Sequence, residues 1–316
     1  MAEWSFHSKP YRHYRYNDQT ETPNGLEILS VTQALGVLDK SGPLQGYAAR
    51  ETVRGVSSLL WRAAPDATEI IRWATDPPVM DEHGDWSQGR ITYLLKREGL
   101  TFRDRTSDAA ARGTAVHKAL EDWINEQRIP RAANYPAEWQ GYFRGLASWL
   151  AQERPDFEES ELVVGSTTHG YAGTRDTVAR VRDKRRGLCL LDAKTSKAIH
   201  PSSMFRQLVA YDEAGAEGGE ARTDSQGIIR FGSDGSWEIK WLQDFGLPRQ
   251  FWLDAFLHAL TACRDEREIS TSQRQTEDAA LKAAGWFPMP QRGRWARTVN
   301  GRRVSEWRSK ALRVIV

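Results

Sequence analysis

The segment from Leu188 to Lys194 constrains the fold of this chain more than any other segment. Four apolar residues, Leu188 to Leu191, run directly into Asp192, Ala193 and Lys194. A continuous apolar strand has to be covered on both faces, and the helices of an α/β protein supply that cover. We therefore predict an α/β fold in which this segment is a central strand of a mixed β-sheet flanked by helices.

The periodicity of the apolar residues changes at Pro155. Before it, apolar residues recur at helical spacing; after it, short segments with strand propensity alternate with helical ones. This order predicts a helical N-terminal part followed by the sheet. The predicted elements are helices over 30–61, from Ser107 or Thr114 to near Arg128 and from Pro136, strands over 160–165, 171–181 and 188–194, a helix from Pro201, strands over 227–231 and 237–242, and a helix over 247–264.

Composition and length limit the class of protein. The 316 residues, 40% hydrophobic and 27% charged, are typical of a globular protein with one large domain or two small ones. No apolar run approaches the roughly 18 residues of a membrane span, and residues 1–16 lack the apolar stretch of a secretory signal. We expect a cytoplasmic protein without a membrane partner, since the two cysteines, Cys189 and Cys263, also fit a reducing compartment.

Charged residues at the end of the central strand are candidates for chemistry. Asp192 and Lys194 point to the same face of a strand, and a hairpin pairing would bring Asp176 of the preceding strand close to Asp192. Two adjacent carboxylates repel each other unless a divalent cation such as Mg²⁺ binds between them. Lys194 could then orient or deprotonate a water, or bind a phosphate. The alternative is a structural ion pair of Asp192 with Lys194 or Arg175.

Two helical pairs accompany these residues. His117 lies one turn before Glu121, and Gln207 lies one turn before Tyr211. Each pair also has a purely structural interpretation, a partly buried histidine in the first case and a helix surface with one polar anchor in the second.

Four motifs occur in a fixed order along the chain. They are Gly-Thr-x-x-His at 113–117, Gly-x-x-Asp at 173–176, Leu-Leu-Asp-Ala-Lys-Thr at 190–195 and Gln-x-x-x-Tyr at 207–211. Together they resemble the motifs of the PD-(D/E)XK nuclease superfamily, and most closely those of its RecB-like exonuclease branch. Phage and CRISPR-associated RecB-like exonucleases belong to that branch.

The resemblance implies a restriction-endonuclease-like core and a metal-dependent DNA exonuclease. Such an enzyme hydrolyses phosphodiester bonds, with preference for single-stranded ends, in recombination, repair or replication in a bacterial or phage-infected cell. The cofactor it implies is Mg²⁺, for which Mn²⁺ can substitute because histidine is among the ligands. The alternatives are an endonuclease on the same fold and a non-catalytic DNA-binding recombination accessory.

The resemblance also assigns roles to individual residues. His117, Asp176 and Asp192 would bind the metal together with the Ala193 carbonyl, and Lys194 would act on the attacking water. Gln207 would hold Lys194 or the DNA backbone, and Tyr211 would support it. Glu121 would support the metal ligands, and DNA contacts are assigned to Thr195 and Arg206.

The chain departs from the family pattern at two points. Arg175 stands where the superfamily has a proline before its first aspartate. The four cysteines that hold an iron–sulfur cluster in many relatives cannot be supplied by a chain with two, so we expect no such cluster.

The C-terminal segment concentrates positive charge. Residues 285–316 contain eight Lys and Arg against one acid, Glu306, in a chain whose net charge is +2. Tryptophans interleaved with arginines suit a nucleic-acid strand, whose phosphates meet Arg and whose bases stack on Trp. The alternative is a solvated basic tail whose tryptophans pack on the protein. The predicted nucleic-acid contacts here are Arg292, Arg294, Trp295, Arg302 and Arg303.

We therefore divide the chain into three segments. Residues 1–106 would form the helical N-terminal region packed on the core, residues 107–268 the nuclease core, and residues 269–316 the basic, aromatic C-terminal segment.

Overall fold

The computed structural model of the protein describes residues 3–8, 13–38, 41–62, 95–128, 130–291, 293–300 and 302–315. The chain divides into two compact units, Met1–Leu257 and His258–Val316. Both are described below, each by itself.

The first unit is built on a mixed sheet. Its strands are β1 (Trp4–His7), β2 (His13–Tyr16), β3 (Leu29–Ser30), β4 (Asp156–Ser166), β5 (Tyr171–Arg180), β6 (Leu188–Lys194), β7 (Ser225–Phe231) and β8 (Trp237–Trp241). The helices that begin in this unit are α1 (Val31–Ala34), α2 (Ser41–Arg62), α3 (Phe102–Glu126), α4 (Gln140–Glu153), α5 (Pro201–Glu217) and α6 (Arg249–Ala283).

The central sheet has the strand order β3-β5-β6-β7-β8, with β4 paired to β5. The pairs β3–β5 and β6–β7 are parallel, and the pairs β4–β5, β5–β6 and β7–β8 are antiparallel. This arrangement confirms the predicted α/β class with a central mixed sheet flanked by helices. The apolar strand β6 has neighbours on both sides, and its residues 189–193 are buried, as the sequence predicts.

Helices α3 and α4 cover part of this sheet. Val116 and Leu120 of α3 pack in one core cluster with Phe143 and Trp149 of α4 and with Leu191 of β6. Residues one turn apart share a helix face, so the stripe that buries Val116 and Leu120 also fixes the orientation of His117 beside it. Packing of α3 therefore positions the histidine relative to the end of β6.

Helix α3 begins earlier than the predicted starts at Ser107 or Thr114. Its N-cap is Thr101, whose side chain accepts a hydrogen bond from the Asp104 N–H, while the Asp104 carboxylate accepts one from the Thr101 N–H. This capping box stabilises a first turn that has little apolar periodicity, which is why the periodicity alone places the start too late.

The N-terminal part contains strands as well as helices within the predicted range 30–61. The hairpin of β1 and β2 comes first, and β3 then joins the central sheet beside β5. Alternating aromatic and polar residues in Trp4–His7 and His13–Tyr16 have the period of two that a strand requires. The predicted cap Ser30 is confirmed at the start of α1, where it forms a capping box with Gln33.

The second unit contains a small antiparallel sheet and a helix. Its elements are β9 (Phe287–Pro288), β10 (Arg294–Val299), β11 (Arg302–Trp307) and α7 (Arg308–Ile315), together with the end of α6. The sheet order is β11-β10-β9, and a cluster of Leu281, Trp286, Trp295 and Ala311 forms the core. In neither unit does a described helix combine the length and the apolar character needed to cross a membrane.

Candidate metal centre

The candidate site lies where β5 and β6 separate. Their antiparallel ladder ends at the pair Thr177 and Leu191, so the β6 residues that follow no longer pair with β5. The Asp176 side chain bridges this gap, since its Oδ2 accepts the Ala193 N–H at 2.9 Å. The fork between the two strands thereby brings Asp176 to the end of β6, as the hairpin argument from the sequence predicts.

His117 of α3 closes the fork from the helix side. Its Nε2–H donates to the Ala193 carbonyl at 2.9 Å, because a carbonyl oxygen can only accept. Its Nδ1 consequently faces the carboxylates, 3.3 Å from Asp176 Oδ2 and 3.6 Å from Glu161 Oε1. His117 and Asp176 thus come together, and the Ala193 carbonyl that the resemblance assigns to the metal is held by the histidine.

Charge pairing shifts the pKa values of these two groups in opposite directions. Burial lowers the pKa of His117, but the carboxylates of Asp176 and Glu161 together raise it by more, to about 10. Burial raises the pKa of Asp176, but the His117 ring, the Lys194 ammonium and the Ala193 N–H bring it down to about 2. At neutral pH the imidazolium and the carboxylate therefore form an ion pair inside the fork.

Asp192 and Lys194 form a second ion pair beside the first. The Lys194 Nζ donates to Asp192 Oδ1 at 2.6 Å and lies 2.5 Å from Oδ2. Both oxygens of the buried Asp192 carboxylate therefore lie against this ammonium. The ion pair that the structural interpretation of the sequence expected is thus present.

Burial dominates the ionisation of this second pair. It raises the pKa of Asp192 to about 7, against the opposing effect of the Lys194 ammonium and with the help of the Asp176 charge. Burial lowers the pKa of Lys194, but the carboxylates of Asp192 and Asp176 more than reverse this, so that its pKa is raised. Lys194 is therefore protonated at neutral pH and acts as a hydrogen-bond donor.

Glu161 of β4 is a site residue that the sequence analysis missed. One oxygen of Glu161, one of Asp176 and one nitrogen of His117 lie within 4.8 Å of one another, the separation expected of ligands to one ion. Glu161 has a φ of 51°, a left-handed conformation that is costly for a residue other than glycine and that clusters at functional sites. The only sequence signal was a glutamate in a predicted strand, which by itself has no specific meaning.

The Gly-x-x-Asp and Gln-x-x-x-Tyr motifs meet at one contact. A Cβ added to Gly173 would lie 2.2 Å from Tyr211 Cε1, so only glycine leaves room for the ring. The Tyr211 hydroxyl accepts a hydrogen bond from Gln207 Nε2 at 3.0 Å. Gln207 is thus directed to Tyr211, as the resemblance implies for that pair, and no hydrogen bond to Lys194 is present among the described residues.

The remaining predicted residues of the first unit lie around the fork. Glu121 lines a cleft of about 530 Å³ together with His117 and Glu161, and it accepts a hydrogen bond from Lys118 at 3.1 Å. Thr195 is 8% exposed. Arg206 of α5 has a buried Nε without a hydrogen-bond partner among the described residues.

Arg175, which replaces the family's proline, does not enter the fork. It is 4% exposed and forms ion pairs with Glu159 and with Glu220, the latter at 2.6 Å. Two acids therefore compensate the buried guanidinium, and the alternative ion pair of Arg175 with Asp192 is wrong.

Residues of the second unit do not all suit the roles predicted for them. Trp295 is 4% exposed in the core of that unit, so its ring offers no face to a base, and its assignment as a nucleic-acid contact is wrong. Arg302 and Arg303 are exposed, and Arg294 is half-buried. Arg292 lies outside the described residues.

The donor set of the fork fits a divalent cation. Carboxylate oxygens of Asp176 and Glu161 and the Nδ1 of His117, with the Asp192 carboxylate beside them, are the ligand types that Mg²⁺ and Mn²⁺ accept. A comparison with models of known protein families gives no match for this chain, and a comparison with curated proteins gives none either. The interpretation of the site therefore rests on its own geometry.

Proposed function

We propose that the protein is a metal-dependent deoxyribonuclease of the RecB-like type that hydrolyses phosphodiester bonds from single-stranded ends. The observation that carries the proposal is the fork, in which His117, Glu161 and Asp176 converge within 4.8 Å beside the buried pair of Asp192 and Lys194. A divalent cation, when bound, supplies Lewis-acid polarisation of a phosphoryl oxygen. The preference for ends follows from the resemblance.

The residues of the fork have complementary tasks in this proposal. Glu161, Asp176 and Asp192 supply negative charge that holds the cation, and His117 offers Nδ1 once its proton has left. Lys194 is 22% exposed and protonated, so its Nζ can donate a hydrogen bond to a phosphate oxygen or to a water and orient it for attack. The raised pKa of Lys194 favours this orienting task over deprotonation of the water.

The support for the fork is structural. Tyr211 packs on Gly173 three residues before Asp176, and its hydroxyl is held by Gln207. The Asp176 side chain is itself held by the Ala193 N–H, which fixes the distance between β5 and the end of β6. Rigid support of this kind keeps ligand atoms at their separation when the cation leaves.

The test is degradation of a labelled linear single strand in Mg²⁺, in Mn²⁺ and in EDTA. We expect degradation with either cation, none in EDTA, and none by Asp176→Asn, whose amide oxygen can still accept the Ala193 N–H. Asp156→Asn is the matched control, because Asp156 is an exposed carboxylate of the same strand pair, at its end and away from the fork. Thermal melting of both variants verifies folding.

A circular single strand separates the proposal from its alternatives. Exonuclease action leaves the circle intact, whereas its cleavage would assign endonuclease activity to the fold. Binding of DNA without cleavage at any divalent cation would assign the non-catalytic accessory role. Degradation by Asp176→Asn at the rate of the parent protein would refute the site.

A further inference from the structure

One face of the sheet of the second unit carries exposed aromatic rings beside arginines. Strand register pairs Arg294 with Trp307, Thr298 with Arg303, and Phe287 of β9 with Ala296. Since side chains alternate along a strand, these residues share a face. This arginine–aromatic face consists of Phe287, Arg294, Ala296, Thr298, Arg303, Ser305 and Trp307.

The opposite face forms the core of the unit. Trp295 packs there with Trp286, and the Arg297 guanidinium lies 4.8 Å from the centre of the Trp286 ring. Arg302 pairs with Val299 and belongs to this face. The two faces therefore separate tryptophans that pack in the core from aromatic rings that remain accessible.

Each exposed aromatic ring of the arginine–aromatic face is paired with one arginine. The Arg294 guanidinium lies 5.0 Å from the centre of the Trp307 ring, and the Arg303 guanidinium lies 5.0 Å from the centre of the Phe287 ring. Arg294 also donates to Ser305 Oγ at 3.2 Å, which restricts its position. Trp307 and Phe287 are nevertheless 56% and 40% exposed, so each ring keeps a surface available to a ligand.

The charge of this region selects the kind of ligand. The only acid of residues 285–316, Glu306, pairs with Trp295 and so points to the face opposite Arg294 and Arg303. Its carboxylate lies 3.4 Å from the Lys310 ammonium. A ligand of the arginine–aromatic face therefore has to be anionic and to carry flat apolar groups, which is the chemistry of a single nucleic-acid strand.

We propose that the arginine–aromatic face binds single-stranded nucleic acid, with bases stacked on Trp307 and Phe287 and phosphates bound by Arg294 and Arg303. Duplex DNA does not fit this mode, because its bases are stacked within the helix and expose only their edges and the backbone. The binding requires neither the fork nor a divalent cation, so it stands apart from the proposed hydrolysis.

The test measures binding of the full chain to a fluorescent oligothymidylate by anisotropy in EDTA. We expect Trp307→Ala and Phe287→Ala each to weaken binding by roughly tenfold, the scale of one lost base stack. Arg303→Ala and Arg302→Ala form a matched pair, since these neighbours are both exposed arginines on opposite faces. We expect a clear loss with Arg303→Ala and a much smaller one with Arg302→Ala.

Three results would overturn the proposal. The first is an equal loss of affinity in Arg303→Ala and Arg302→Ala. The second is an abasic strand that binds as tightly as oligothymidylate, and the third is stronger binding to vesicles of anionic lipid than to the oligonucleotide. Thermal melting verifies that the variants fold. Asp156→Asn, the exposed control outside the fork, must bind like the parent protein. Binding is measured in EDTA and degradation in Mg²⁺, so a failure of the nuclease proposal and a failure of this one give different outcomes.

Discussion

Binding of a divalent cation should expel one proton from His117. Its pKa is raised to about 10 because the Asp176 and Glu161 carboxylates together outweigh the effect of burial, so the ring is protonated at pH 8. A ring that carries a proton on Nδ1 cannot also offer that atom to a metal. In the metal-free protein the protonated ring stabilises the fold below its ordinary pKa of 6.5, and this stabilisation is lost as the pH rises through about 10.

The size of the effect follows from the linkage of one proton to one ion. Between pH 8 and pH 9 the apparent association constant for Mg²⁺ should rise about tenfold, which corresponds to about 1.4 kcal/mol. Asp192, whose pKa is raised to about 7, is largely ionised above pH 8 and adds little to this slope. His117→Gln should abolish the slope, because the glutamine amide does not titrate.

Isothermal titration calorimetry in two buffers with different ionisation enthalpies counts the released protons directly. We expect about one proton per ion for the parent protein at pH 8.5 and none for His117→Gln. His200→Gln, a change at an exposed histidine before α5, is the matched control and should release the proton normally. Mg²⁺ binding without proton release, and with an affinity independent of pH, would refute this account of the fork.

Three further predictions concern residues that the structure singles out. Glu161→Gly should raise the free energy of unfolding of the metal-free protein by about 1 kcal/mol in chemical denaturation, because glycine adopts the left-handed backbone without strain. Both Glu161→Gly and Glu161→Gln should weaken Mg²⁺ binding, but Glu161→Gln should not raise the free energy of unfolding. Gly173→Ala should lower that free energy by about 1–3 kcal/mol, since the new Cβ meets the Tyr211 ring, and Tyr211→Ala should relieve the conflict in a double-mutant cycle. Hydrogen bonds from Arg222 lower the pKa of Glu213 to about 2. The ionised group therefore stabilises the fold above pH 4.5, and this stabilisation is lost as the pH falls towards 2. The melting temperature of Glu213→Gln should lack this contribution to its decline at low pH.

Local sequence patterns predict those helices and strands whose structure is determined by their own residues rather than by distant contacts. The strand over 188–194 was predicted with its correct bounds, because a short unbroken apolar run is typical of a central strand that is buried on both faces. The start of α3 was not, because the capping box of Thr101 and Asp104 rather than apolar periodicity decides it. The hairpin of β1 and β2 was not predicted, because each strand has only four residues, too few for an alternation of aromatic and polar residues to stand out.

The site divides in the same way between local and long-range information. Asp176, Asp192 and Lys194 follow from strand spacing and a short turn, since residues adjacent in a hairpin are brought together by local geometry. Glu161 enters the fork only through the register of β4 with β5, which no short motif encodes. Trp295 was wrongly assigned as a nucleic-acid contact for a related reason, since the side of a strand that becomes buried depends on the elements packed against it.

The charge balance of the fork explains why it should take a divalent cation. Above pH 8 its carboxylates are Glu161, Asp176 and Asp192, and Lys194 offsets one of them. A proton on His117 offsets a second and leaves one negative charge in this half-buried site, where an uncompensated charge is costly. Replacing that proton by a divalent cation removes the remaining charge, whereas a monovalent ion leaves it in place. Because Lys194 offsets one of the three carboxylates, the ion that neutralises the fork has to be divalent. In the metal-free protein the proton on His117 partly takes the place of that ion.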